Sequence, residues 1–163
     1  MQNILAAVAA VILVVGCRQS SEPVIGRPTE RELVGTWTLL NSPRGPAGSP
    51  ALPKSNNSNL LLSSNSVARL TGVLVEEETF RDGKPPIIQW RQKTGSGSWV
   101  IDQWLRANDA PLWRVRITLE GNQEMLLQIN NRNDGTLELR YRPDPEMVEP
   151  FIFVKDGAVP AGK

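Results

Sequence analysis

The stretch that decides the fold is residues 113–142, WRVRITLEGNQEMLLQINNRNDGTLELRYR. Trp113, Val115, Ile117 and Leu119 share one side of a period of two, and Arg114, Arg116 and Thr118 share the other. Successive side chains of a strand point to opposite faces, so this pattern describes a sheet with one face on a core and one in water. Glu120-Gly121-Asn122 turns the chain, and Met125, Leu127 and Ile129 resume the alternation. Asn133-Asp134-Gly135 turns it again, and Leu137, Leu139 and Tyr141 then alternate with Glu138, Arg140 and Arg142. Three strands in a meander follow from this stretch alone.

Working outward, Pro143-Asp144-Pro145 closes the third strand and Phe151-Ile152-Phe153-Val154 supplies a last one. Upstream, Trp37 to Leu40 reads as a first strand, and Leu60 to Leu62 with Val67 to Val75 forms a hairpin across Ser63 to Ser66. Asp82-Gly83 and Pro85-Pro86 punctuate the chain before Ile87 to Arg91. Gly95-Ser96-Gly97 reads as a turn before Trp99 to Ile101. Thr29 to Glu32 fits a capping box and predicts one or two helical turns, stopped by Gly35. The fold class is therefore all-β, an antiparallel barrel or sandwich over 29–158 with a tail at 159–163. The loop from Asn41 to Asn59 is rich in Pro, Gly, Ser and Asn. It is longer than most connections in a compact domain, which suits a gate.

The N-terminus has a different character. Residues Ile4 to Gly16 form an unbroken apolar run of 13. As a helix it reaches ~20 Å, short of the ~30 Å a spanning segment must cross. That is the length of a signal-peptide core. Val14-Val15-Gly16-Cys17 follows, with the polar stretch Arg18 to Pro28 after it. These residues resemble the bacterial lipobox, and the resemblance implies that 1–16 is a cleaved leader and that Cys17 carries acyl chains such as palmitate. Residues 17–28 are then lipidated Cys and flexible tether. In such lipoproteins of Gram-negative bacteria, a residue other than Asp after the Cys goes with export, so Arg18 implies the outer membrane, facing the periplasm. The expected location is the cell envelope, with the membrane as partner through the acyl chains.

The short motif Gly35-Thr36-Trp37 resembles the G-x-W opening of lipocalin-like domains. Gly97-Ser98-Trp99 repeats it mid-chain, and Leu60-Leu61-Leu62, Asp144-Pro145 and Phe151 to Lys155 are similar to motifs of small bacterial lipocalin-like lipoproteins. The resemblance implies a small up-and-down β-barrel with a short helical turn at its opening. It makes Gly35 and Trp37 structural residues of the barrel's closed end, with Arg140, Arg142 or Lys155 as the cation beside the Trp. The T-D-Y motif of animal lipocalins is missing, so the ligand chemistry of that branch is not carried over.

Composition then narrows the function. The chain has one Cys and no His, which excludes intramolecular disulfides, His-based triads and His-ligated metal sites. We expect no catalytic residues, no cofactor and no metal. Basic and acidic residues number 18 and 17, so no strong field points to nucleic acid. Glu76-Glu77-Glu78 reads as a solvated strand end, and Asn130 to Gly135 as a hairpin turn rather than a calcium loop. Arg114, Arg116, Arg140 and Arg142 point outward, as a basic strip or as partners of Glu124 and Glu138. Trp37, Trp99 and Trp113 fit a packed core, and Trp90 and Trp104 are the candidate ligand-lining residues. A small apolar ligand in the barrel mouth is the expected function. The alternative is an accessory module with a filled barrel that binds another envelope protein.

Overall fold

The computed structural model describes residues 21–41, 58–104, 111–142 and 149–157, with backbone alone at 76–81, 84–88 and 90. The leader 1–16, Cys17, the tail 159–163, most of the long loop (42–57) and the Trp90 side chain lie outside what is described. In chain order the elements are β1 Glu22–Pro23, α1 Glu30–Leu33, β2 Gly35–Leu39, β3 Asn59–Leu62 and β4 Val67–Arg81. They continue with β5 Lys84–Trp104, β6 Leu112–Leu119, β7 Glu124–Asn131, β8 Leu137–Tyr141 and β9 Phe151–Lys155. From β2 to β9 each strand pairs antiparallel with the next, and β9 pairs back onto β2 through Trp37–Lys155 and Leu39–Phe153. The sheet closes into an eight-stranded up-and-down barrel, with β9 returning onto β2 to complete the ring.

The alternation read from residues 113–142 holds along most of its length, with Trp113 and Leu137 half-buried at the strand starts. Val115, Ile117, Leu119, Met125, Leu127, Ile129, Leu139 and Tyr141 are all buried, and they meet Phe151 and Phe153 from β9. Large fully buried apolar side chains are worth ~1.5–3 kcal/mol each. A period-two run of them is a strong reason for these strands to close on one another.

One end of the barrel is capped by α1. Its capping box is present, with the Thr29 amide donating to Glu32 Oε2 at 2.7 Å and the Glu32 amide to Thr29 Oγ1 at 3.4 Å. Leu33 seals the opening, and Trp37 donates its Nε1 hydrogen to the Leu33 carbonyl at 2.8 Å. Trp99 donates likewise to the Ser63 carbonyl at 2.9 Å. Each indole is thus buried without leaving an orphaned donor. Lys155 lies opposite Trp37 and donates from Nζ to the Glu32 carbonyl at 2.9 Å, so it is the cation of this end. Gly35 has φ +143°, and a Cβ there would come 2.7 Å from Lys155 Cε. The glycine of the motif makes room for the lysine stem.

The segment Gly95-Ser96-Gly97, expected as a turn, is instead the interior of β5, a single strand of 21 residues. A Cβ on Gly97 would fall 2.2 Å from the Thr118 carbonyl oxygen, so glycine here permits close approach of two strands rather than reversal. Pro85 and Pro86 do not break the strand either. They fall in a register shift between Thr79 and Arg81, where β5 carries two residues against Phe80 alone. A bulge tolerates residues that cannot donate to the ladder. A second shift sets Thr71 and Gly72 against Thr94. Gly72 has φ +60°; its amide donates to Thr94 Oγ1 at 3.1 Å, and its carbonyl accepts from buried Ser58 at 2.6 Å. Past this bulge β4 has no β3 partner and the facing part of β5 no β6 partner among the described residues. The hairpin continues as a two-stranded ribbon to its tip at Asp82-Gly83.

Candidate functional site

The outer wall of the barrel follows from the registers. Asp102, Arg114, Gln128, Arg140 and Ile152 stand in one cross-strand row from β5 to β9. The row beside it, away from the capped end, holds Val100, Arg116 and Leu126. Arg142 and Pro150, which flank the paired residues Tyr141 and Phe151, continue it. On the capped-end side, Trp104 lies opposite Leu112. These rows enclose a groove of about 540 Å³. Trp104, Leu112, Trp113, Leu126 and Pro150 give it apolar walls, and Arg114, Gln128, Arg140 and Arg142 supply its polar groups. Mostly apolar walls with a few convergent polar groups are the usual makeup of a ligand site of this size.

The four arginines do point outward, and most of them have partners. Arg114 Nε and Nη2 both donate to Asp102 Oδ2, at 3.1 and 2.7 Å. This hydrogen bond holds the Asp102 carboxyl below the ordinary range, with the Arg114 and Arg116 charges adding to it. Arg116 sits 3.7 Å from Asp102 and 3.6 Å from Glu124, and its buried Nε makes no hydrogen bond. Arg140 Nε donates to Glu138 Oε1 at 2.5 Å. Arg142 is exposed and has no ion pair among the described residues. Among the described residues, Arg142 at the groove's far end is the member of the strip without an ion pair.

Glu138 is 4% exposed on the outer wall, an expensive place for a charge unless it is paired. Besides Arg140, the Ser21 hydroxyl donates to its Oε1 at 2.5 Å, and Arg132 Nε stands 3.9 Å from its Oε2. Ser21 belongs to the stretch expected as tether, and from Ser21 on that stretch is held to the wall. β1 pairs with β7 beyond the point where β6 leaves it, and the Val24 amide donates to the Ile129 carbonyl at 3.3 Å.

The sequence-designated residues fall in separate places. Gly35 and Trp37 form the capped end, away from the groove. Trp104, expected in the barrel mouth, stands on the outer wall, because it is an odd number of residues from inward-facing Trp99 in an unbroken register. It is 43% exposed. The backbone of Trp90 lies in the ribbon opposite Glu76. Trp113, expected in the core, is half-buried at the rim, donating to the Ile25 carbonyl at 3.3 Å with Arg27 5.9 Å from its ring. Asp102, Leu126 and Gln128 had no individual signal in the sequence; only the β5–β6–β7 register assembles them.

The interior is occupied by side chains. Trp37, Trp99, Tyr141, Phe151 and Phe153 are all buried within an eight-stranded ring, a size that side chains alone are able to fill. Among the described residues no group of three or more Asp, Glu or Cys is placed to hold a metal ion, and no helix is long and apolar enough to cross a membrane. No family model, no curated protein and no solved structure matches the chain.

Proposed function

We propose that this chain is an acyl-anchored lipoprotein of the cell envelope whose barrel is a non-catalytic binding module. Cys17 is its attachment point, and the outer membrane, facing the periplasm, is its place in an organism that has one. The ligand is a small amphiphile with an apolar body and an anionic group. The observation that carries the binding reading is the groove, which sets Trp104 and Leu112 at one end and Arg142 at the other. An apolar chain along the first pair and an anion at the guanidinium match that polarity. The aromatic side chains buried inside the ring and the groove on its wall favour the wall over the barrel mouth as the site.

The test is titration of the protein with a single-chain fatty acid and a lysophospholipid, read by tryptophan fluorescence. Binding shifts the emission, and Trp104→Phe removes most of the shift while Arg142→Gln weakens affinity about tenfold, the size of one charge-assisted contact. An emission unmoved by either ligand up to its solubility limit rejects the reading. The exposed Val100 and Leu126 on the same wall favour a second reading, an accessory module that docks another envelope protein. Mild crosslinking separates the two. A reproducible partner lost on Leu126→Asp, with no lipid response, supports docking. Palmitate labelling that Cys17→Ala abolishes supports the anchor, and labelling that survives the substitution rejects it.

A further inference from the structure

We infer that the capped end of the barrel, with Ile25 beside it, is the surface this protein lays against the bilayer that holds its acyl chains. The inference rests on the Cys17 anchor proposed above, and its new content is the orientation. The N-terminal segment is fastened from Ser21 onward. Glu22 and Pro23 pair with Asn131 and Asn130, and Ser21 donates to buried Glu138 while accepting from Asn130 Nδ2 at 3.1 Å. Downstream, the Trp113–Ile25 hydrogen bond and Arg27 over the Trp113 ring hold the segment again. Only Arg18, Gln19 and Ser20 separate Cys17 from Ser21. Four Cα-to-Cα steps of at most ~3.6 Å give a reach of ~14 Å.

Direction decides which end that reach serves. β7 runs toward the capped end, and β1 is antiparallel to it, so the chain traced backward from Pro23 to Glu22 heads toward that end. It leaves the wall beside the Arg132 to Thr136 turn. β7 itself has eight residues, or ~26 Å. A bilayer-seated Cys17 on a ~14 Å leash therefore cannot serve the opposite end. Ile25 is 79% exposed, an isoleucine left in water next to the rim, and Trp104 ends β5 on the same side. A lipid interface accommodates both, since aromatic and aliphatic side chains partition there. The groove then opens its Trp104–Leu112 end toward lipid and its Arg142 end away. The ribbon projects outward, because the 15 residues of β4 carry its tip ~50 Å from the capped end along the strand.

The acylated full chain in phosphatidylcholine vesicles tests this. Acylation blocks Cys17, the sole native thiol, so Ser64→Cys in the exposed turn of the capped end and Asp82→Cys at the ribbon tip each offer one site for a donor dye. With an acceptor-labelled lipid in the vesicle, energy transfer from position 64 should exceed that from position 82 at least threefold. Equal transfer from the two sites, or the reverse order, overturns the orientation. Two dyes per chain together with failure to float with vesicles would instead remove the anchor, and the inference with it, and is told apart by the dye count.

Discussion

The capped end and the groove wall use the same kinds of residue for opposite ends. At the capped end Trp37 and Trp99 are sealed, each indole N–H is bonded to a backbone carbonyl, and Lys155 closes over the helix terminus. On the wall Trp104 stands 43% exposed, Leu126 is exposed beside Gln128, and Arg142 has no ion pair among the described residues. The first arrangement gives both buried indole donors and the Lys155 ammonium a carbonyl partner, which is how a core gains stability. The second leaves apolar surface and a cation in water. Exposed apolar surface beside a cation is the signature of a surface held ready for something else.

The contrast is open to attack by mutation. The largest effect belongs to Trp37→Ala, which should cost ~3–5 kcal/mol in urea unfolding, because it empties a sealed site and orphans the Leu33 carbonyl. A loss under ~1 kcal/mol would show that the capped end is not the stability core. Gly97→Ala comes next. Its Cβ meets backbone, not a flexible side chain, so β5 and β6 must part; a cost of ~1–3 kcal/mol is expected, read as a lowered denaturant midpoint.

Acid should divide the two regions. Glu32 is held below its ordinary pKa by the Thr29 amide and then by its hydroxyl, Asp102 by Arg114, and Asp134 by the Thr136 hydroxyl. Folded-state values below the unfolded ones mean that these groups stabilise fully above their unfolded values, about pH 4 for the aspartates and about 4.5 for Glu32, and lose that stabilisation as pH falls through the depressed values. Asp102→Asn should flatten part of this acid limb, leaving the share of Glu32 at the capped end. An unchanged limb would show that the wall's ion pair does not couple to folding. The smallest effect is that of Trp104→Ala, within ~0.5 kcal/mol of wild type in unfolding. A larger loss would make Trp104 a packing residue and weaken its assignment to a ligand.

Much of this molecule was legible in its residues. The meander at 113–142, the Ser63 to Ser66 hairpin, the Thr29–Glu32 cap and the last strand at Phe151 are all where period and turn chemistry put them, because each is decided by neighbours within a few residues. The middle of the β4–β5 hairpin departs from its local signals. Gly95, Gly97 and the Pro85-Pro86 pair are locally turn-like, and only the facing strands reveal that one glycine answers the Thr118 carbonyl and that the prolines sit in a bulge. The docked Ser21 to Arg27 segment was equally invisible. Its composition is that of a free linker, and what holds it is a β7 edge more than 100 residues away, together with a buried Glu138 that needs its hydroxyl.

Sequence by itself determined the fold class, since a period of two with short turns admits only sheet, while the closed end was implied only by the resemblance of Gly35-Thr36-Trp37 to a G-x-W opening. It also singled out the lone Cys17 after an apolar run as the candidate anchor. Tertiary structure alone decided which cation stands beside Trp37, that Trp104 faces outward, and that Trp104, Leu126 and Arg142 meet in one groove. Those choices depend on how strands far apart in the chain align. A shift of one residue sends every side chain of a strand to its other face, so a site built across strands β5 to β9 exists only once the registers are set.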